Sequence, residues 1–263
     1  MFDELLKSDK GDVRRKSALA LKLSQCLDLE DKDLDRIAEF EAAPRAVASG
    51  EDLVKENAPY RHAGVVLEGW CLKYKLLDDG RRQIVNFVLP GGFIGLHANV
   101  FEVADHSVSA LTQGKISWFD PQLVTKTFGE RPLLAAAIVW DNAREEAILM
   151  ERLASLGRRS AYERFAHLMV ELAKHLDRRG FIGEEKVELP ITQVVIADTL
   201  GLSLVHVSRT IQKLRRDGLI EPNQQRGIVL RDLRGLMEVC GFDDTYLHQN
   251  KLPERTRRHI DAC

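Results

Sequence analysis

Apolar and polar positions along the chain change period twice, and the changes divide it. Residues 1–32 carry a broken helical stripe (Leu5 and Leu6, then Ala18, Leu19, Leu21 and Leu23), with Gly11 between the pieces. A short helix is predicted from Asp33 to about Ala42, because Pro44 excludes helical conformation just before it. From about Arg45 to Asp120 the pattern is that of strands. "VVLEGWCLKYKLL" and "RRQIVNFVL" are rough alternations joined by "DDG", a sequence that tolerates the positive φ of a hairpin turn. "LPGGF" marks a second turn, and "HSVSALTQGKISWFD" reads as two strands around Gln113-Gly114. Many short strands with frequent turns predict a small sandwich or barrel.

At Arg131-Pro132 the period becomes helical. Leu133, Ala136, Trp140, Ala143, Ala147, Met150, Ala154 and Gly157 follow one another at alternating spacings of 3 and 4. Such a heptad row predicts a helix of roughly 37 Å at 1.5 Å per residue. Small residues on the row permit close approach of a second helix, which predicts pairing with another copy of the chain. The alternative is a helix that packs only on its own domain. A further helix over 157–180 carries Phe165, Leu168, Met169 and Leu172 on its apolar face, and a short strand is expected before Pro190.

The stretch "ITQVVIADTLGLSLVHVSRTIQKLRRDGLI" contains two short helices around Gly201. Thr192 and Ser203 are suited to cap them, and Gly201 suits the left-handed turn between. Ala197, Leu200 and Leu202 can face Val207, Ile211 and Leu214, a helix-turn-helix arrangement. The outward side of the second helix then carries Val205, His206, Ser208 and Arg209, chemically suited to base edges, with Arg209 able to donate twice to guanine. Gln212, Lys213 and Arg215 are placed for phosphates, as are the cap residues Thr192 and Ser203 beside free helix N–H groups. "GLIEPNQQRGIVLRD" reads as strand, turn, strand, with Arg226 at the tip as a further backbone contact. The alternative for the helix pair is an ordinary core hairpin with a solvated basic face.

Composition narrows these readings without deciding them. With 263 residues, 44% hydrophobic and 30% charged, the chain is globular, and a net charge of −2 means that any nucleic-acid footprint is local. No run of about 18 apolar residues is present, so no spanning helix is expected, and acidic residues ahead of Arg14, Arg15 and Lys16 do not fit a secretion signal. A cytoplasmic location with no membrane partner follows as an expectation. Cys26, Cys71, Cys240 and Cys263 lack metal-ligand spacing, so free thiols and no metal are expected. No nucleophile elbow, phosphate loop or dinucleotide fingerprint is found, so no enzyme is expected.

"LGLSLVHVSRTIQKLRRDGLI", "GRRSAYERFAHLMVELA", the long helix and "LPGGFIG" together resemble the Crp/Fnr family of bacterial transcription regulators, over roughly residues 35–231. The first two segments and the tail "LMEVCGFDDTYLH" resemble an alphaproteobacterial branch. The resemblance implies an α+β chain with an N-terminal β-roll sensor domain, a long dimerisation helix and a C-terminal winged helix-turn-helix. In this sequence those parts fall at 33–130, 131–157 and 158–235, with an N-terminal arm at 1–32 and a C-terminal extension at 236–263.

It further implies a homodimer on pseudo-palindromic double-stranded DNA, with RNA polymerase as a further partner. Base contacts would fall at Val205, Ser208 and Arg209 with Leu204 and His206 adjacent, and Val205 departs from the glutamate common at its position. Cyclic-nucleotide binders of the family carry a glutamate soon after the "FIG" turn and an arginine before a Ser/Thr. Here Leu96 stands at the first place and His106 with Ser107 at the second, so cyclic AMP is not expected and no cofactor is predicted. Only Cys26 lies in the arm, against an iron–sulfur cluster. The alternative is a cyclic-nucleotide receptor, or a haem receptor through His97 or another histidine, whose winged helix serves protein contacts.

Overall fold

The computed structural model describes residues 13–177, 187–222, 227–248 and 250–261. They divide into two compact units: one of residues 1–74, 87–144 and 249–263, the other of 75–86 and 145–248.

The first unit begins with a 3-10 turn at Val13–Lys16, then α1 (Ala18–Leu23) and α2 (Asp31–Phe40). Ser17 caps α1 by accepting from the Ala20 N–H, and a reciprocal Glu30–Asp33 box starts α2. The strands are β1 (Pro44–Val47), β2 (Asp52–Val54), β3 (Ala63–Glu68), β4 (Cys71–Leu76), β5 (Arg82–Val88), β6 (Phe93–Ile94), β7 (Ser107–Ala110) and β8 (Gly114–Phe119). They form two four-stranded sheets, ordered β1-β8-β3-β6 and β2-β7-β4-β5. Val66, Ile94 and Ile116 from the first sheet and Cys71, Val88 and Val108 from the second close one dry core. This is the sandwich that alternation predicted. The "DDG" hairpin forms where expected, with the Leu77 N–H donating to the Arg81 carbonyl at 2.8 Å and Gly80 at φ 80°.

A second apolar cluster joins α1, α2, α3 (Gln122–Glu130) and the first turns of α4 (Pro132–Arg158) to Phe93 and Phe119. Gly91 is required here: its φ is +80°, and a Cβ would lie 2.4 Å from the Ala18 carbonyl oxygen of α1. Lys22 of α1 and Asp141 of α4 form an ion pair at 2.6 Å, with side chains only 2% and 5% exposed. The C-terminal segment also belongs to this unit. Leu252 enters the same apolar cluster, its N–H donates to the Cys26 carbonyl, and Lys251 and Arg257 pair with Asp28.

In the second unit, α5 (Ala161–Asp177) is central and buries Phe165, Leu168, Met169 and Leu172, the face read from its periodicity. Around it stand β9 (Val187–Leu189), α6 (Gln193–Leu200), α7 (Leu204–Arg216), β10 (Ile220–Pro222), β11 (Ile228–Leu230) and α8 (Leu233–Cys240). The strands pair antiparallel in the order β10-β11-β9. Arg152, in the last turns of α4, donates to buried Glu171 at 2.9 Å and to the Val85 carbonyl at 2.9 Å, tying helix, α5 and hairpin together. A last helix, α9 (Glu254–Asp261), returns the chain to the first unit.

Among the described residues, no single helix is long and apolar enough to cross a membrane. Cys26, Cys71 and Cys240 are free and buried, and burial pushes their thiols up to about 12, 12 and 11. Cys263 lies outside the described residues.

Candidate nucleic-acid interface

The helix pair forms where the sequence placed it. Thr192 Oγ1 accepts from the Val195 N–H and Ser203 Oγ from the His206 N–H, both at 3.3 Å. Gly201 sits at φ 61° between the helices, and the chain bends by 109° from α6 to α7, within the range of helix-turn-helix units. Ala197 and Leu200 of α6 are buried with Val207, Ile211 and Leu214 of α7, while Leu202 is half-buried. Packing of one stripe dictates that the other faces water. Val205, His206 and Arg209 are exposed, as are Gln212, Arg215 and Arg216, and Ser208 is half-buried at the edge.

Three residues assigned to backbone contact also make interactions within the chain. The hydroxyls of Thr192 and Ser203 are engaged as caps. Lys213 Nζ lies 4.0 Å from the centre of the Tyr162 ring, and the Tyr162 hydroxyl donates to Asp217. The ring holds that ammonium on the α5 side of α7, an arrangement that helix spacing alone does not reveal. Arg226 lies outside the described residues.

The heptad row of α4 divides along its length. Leu133, Ala136 and Trp140 pack half-buried against the apolar cluster of the first unit, and Ala147 is half-buried. Ala143, Met150 and Ala154 face water, with Met150 59% exposed. Two further strongly exposed apolar groups on the helix were not read from the sequence: Val139 at 52% and Leu153 at 66%. The row that faces water is therefore Val139, Ala143, Met150 and Leu153. A straight helix of 3.6 residues per turn rotates by about 20° per heptad against a 3.5-residue row, so the row leaves one face as it proceeds.

The four sensor residues are placed by the first unit. Leu96 packs against its apolar cluster, and the His97 ring lies 5.5 Å from that of Phe101. Ser107 Oγ, on β7, accepts from the Glu56 N–H at 3.0 Å. His106 Nδ1 lies 2.7 Å from Asp105 Oδ1. Burial, then the nearby Lys73 ammonium, push His106 below the usual histidine range, so its ring is neutral at neutral pH. An open concavity of about 750 Å³ in the same unit is lined by other residues, including Arg45, Lys55, Arg61 and Trp118. Among the described residues, no group of three or more His, Cys, Asp or Glu side chains is arranged to hold a metal.

Comparison with known proteins decides the family. Residues 163–239 match the Crp-like helix-turn-helix domain and residues 44–135 the cyclic nucleotide-binding domain. The chain is 37% identical over 195 residues to the nitrogen fixation regulation protein FixK of Bradyrhizobium diazoefficiens, covering 72% of this chain and 79% of that protein. The chain belongs to the Crp/Fnr family of bacterial transcription regulators. This regulator is also 30% identical to the transcriptional activator protein FnrL of Cereibacter sphaeroides, over 76% of its own length and 81% of FnrL. Among solved structures it resembles FixK2 from Bradyrhizobium japonicum, with a TM-score of 0.67 and 28% identity over 75% of this chain and 96% of that one. The β-sheet domain, long helix and winged helix-turn-helix expected from the sequence are thus those of the family, and its relatives here are transcription regulators rather than enzymes.

Proposed function

We propose that this regulator binds a pseudo-palindromic DNA site as a homodimer, with α7 of each copy in a major groove. The observation that carries the reading is the outward face of α7, where Val205, His206 and Arg209 stand exposed beyond a capped N-terminus. Arg209 is the guanine reader, His206 and Ser208 flank it, and Val205 offers an apolar contact to a thymine methyl. Arg215, Arg216 and Gln212 take phosphates. Relatives named as activators support RNA polymerase as a further partner, and a cytoplasmic location goes with this reading.

Selection of bound duplexes from a random pool should yield two half-sites roughly 34–36 Å apart. Arg209→Ala should then lose about 1–3 kcal/mol of discrimination at one guanine of each half-site. An unchanged ratio of specific to random binding in that variant removes Arg209 from the reading.

The dimer contact is assigned to the exposed row Val139, Ala143, Met150 and Leu153 of α4, apolar groups that a monomer leaves in water. Replacing both Met150 and Leu153 by glutamate should weaken dimerisation by roughly 30-fold or more in sedimentation equilibrium. A wild-type chain that is monomeric at about 10 μM refutes the contact.

The sensor unit is read as working without cyclic AMP. Leu96 cannot hold a ribose hydroxyl, and a neutral His106 beside the Asp105 carboxylate is a poor partner for a phosphate. Calorimetric titration with cyclic AMP and cyclic GMP should show no heat of binding, and a saturable isotherm would overturn this reading.

A further inference from the structure

A partly open pocket lies within the second unit, apart from the sensor residues. Its volume is about 170 Å³, and it is bounded by α4, α5, α6 and the Gln83–Val85 segment of β5. Its walls are apolar, with Ile84, Leu149, Leu156, Leu168 and Leu200 prominent. An apolar cavity of about 150 Å³ is known to accept a benzene molecule, so this volume suits a single six-membered ring with a small substituent.

The polar groups on its wall define the substituent. Arg152 and Glu171 match one another as a buried pair. Arg164 has no carboxylate partner among the described residues. Its Nη1 donates to the Leu200 and Leu156 carbonyls at 3.2 and 3.4 Å, and its buried Nε–H donates to nothing. One helical turn further on the same face of α5, the His167 ring is 2% exposed, and its Nε2 also lacks a hydrogen bond. Glu151 Oε1 is 3.3 Å away without hydrogen-bond geometry and is itself paired with Arg159 at 2.7 Å. Burial, followed by the Arg159 and Arg152 charges, holds His167 down to about 3, so it is a neutral imidazole able to donate one hydrogen bond. A half-buried guanidinium with no carboxylate partner among the described residues and a buried, idle imidazole nitrogen, on one wall of a ring-sized pocket, call for an anion with two acceptor oxygens.

We propose that this pocket binds a small monocyclic carboxylate of the benzoate class, its ring between the leucines and its carboxylate on Arg164 and His167. Such a ligand touches α4, α5, α6 and β5 at once, so it favours the arrangement in which these four elements are closed on each other. The proposal stands independently of the DNA-binding reading.

The test uses the full chain with 4-fluorobenzoate and fluorobenzene as probes, followed by fluorine NMR. The wild type should bind 4-fluorobenzoate saturably, at one site per chain, with a dissociation constant of about 1 mM or tighter. Fluorobenzene should bind about tenfold more weakly, since it leaves both donors unpaired. Ser155→Phe, which places a ring in the pocket, should abolish binding of both probes. Arg164→Met should bring 4-fluorobenzoate to the level of fluorobenzene. No saturable binding by the wild type up to about 10 mM overturns the proposal, as does equal affinity for the two probes. Undiminished binding by a folded Ser155→Phe chain overturns the location. If that variant does not fold, an Arg164→Met chain that still prefers the carboxylate overturns it instead.

Discussion

Arg152→Met should destabilise the second unit by about 3–5 kcal/mol at neutral pH, because it leaves Glu171 buried and uncompensated. The Glu171 side chain is fully buried, and Arg152 reaches it through Nε at 2.9 Å while also holding the Val85 carbonyl and Asn86 Oδ1. Burial alone raises the Glu171 carboxyl above its ordinary 4.5, and the arginine opposes that rise. Without the arginine, the carboxyl will take up a proton. The cost is then the work of protonating it, about 1.4 kcal/mol for each pH unit above 4.5, or about 3.4 kcal/mol at pH 7.

The sign follows from the direction of the shift. A carboxyl whose folded pKa is raised costs nothing below its unfolded pKa and destabilises as pH rises above it. Urea unfolding of the variant should therefore approach wild type near pH 5 and fall away toward pH 7.5. A loss below about 1 kcal/mol at pH 7.5 would show that the pair contributes little. Adding Glu171→Gln to Arg152→Met should restore most of the loss, since the amide keeps an acceptor for the Tyr246 hydroxyl, which donates at 3.3 Å.

Lys22→Met should have a comparable effect on the first unit, again about 3–5 kcal/mol, by stranding Asp141 in an apolar surround. One oxygen of Asp141 accepts from Lys22 Nζ at 2.6 Å, and the other has no hydrogen bond. The helix carrying Lys22 also leads to Cys26, which is fully buried and whose thiol is pushed up to about 12. Local release of α1 will expose that thiol. Alkylation of Cys26, followed by mass spectrometry, should accelerate at least about tenfold in the variant. Protection equal to wild type would mean that the apolar contacts of Leu19 and Leu23 hold the arm without the ion pair. The double change Lys22→Met with Asp141→Leu should recover most of the protection, because a matched apolar pair needs no charge compensation.

The places where sequence and structure part company share a physical origin. Thr192, Gly201, Ser203 and the apolar stripe of α7 were legible because capping, left-handed turns and helical periodicity act over a few residues. Lys213 was read as a phosphate contact from its spacing, and spacing gives no sign that its ammonium also lies over the ring of Tyr162, 51 positions earlier. The row on α4 was legible as a row, but which of its members face water depends on the cluster that receives Leu133, Ala136 and Trp140. Val139 and Leu153 entered the candidate contact only through their exposure.

By itself, the sequence determined the order of the parts: strands, a long helix, a capped helix-turn-helix and a wing, with the outward chemistry of Val205, His206 and Arg209. Each rests on local periodicity or on turn chemistry, which the chain carries wherever it goes. Only the tertiary structure decided what lies far apart in sequence and close in space. It joined Lys22 to Asp141 and Arg152 to Glu171, returned Leu252 to the N-terminal arm, and set Arg164 and His167 on the wall of one small pocket. Burial creates those relations, because a charge or a polar atom withdrawn from water must find its partner in whatever segment packs against it.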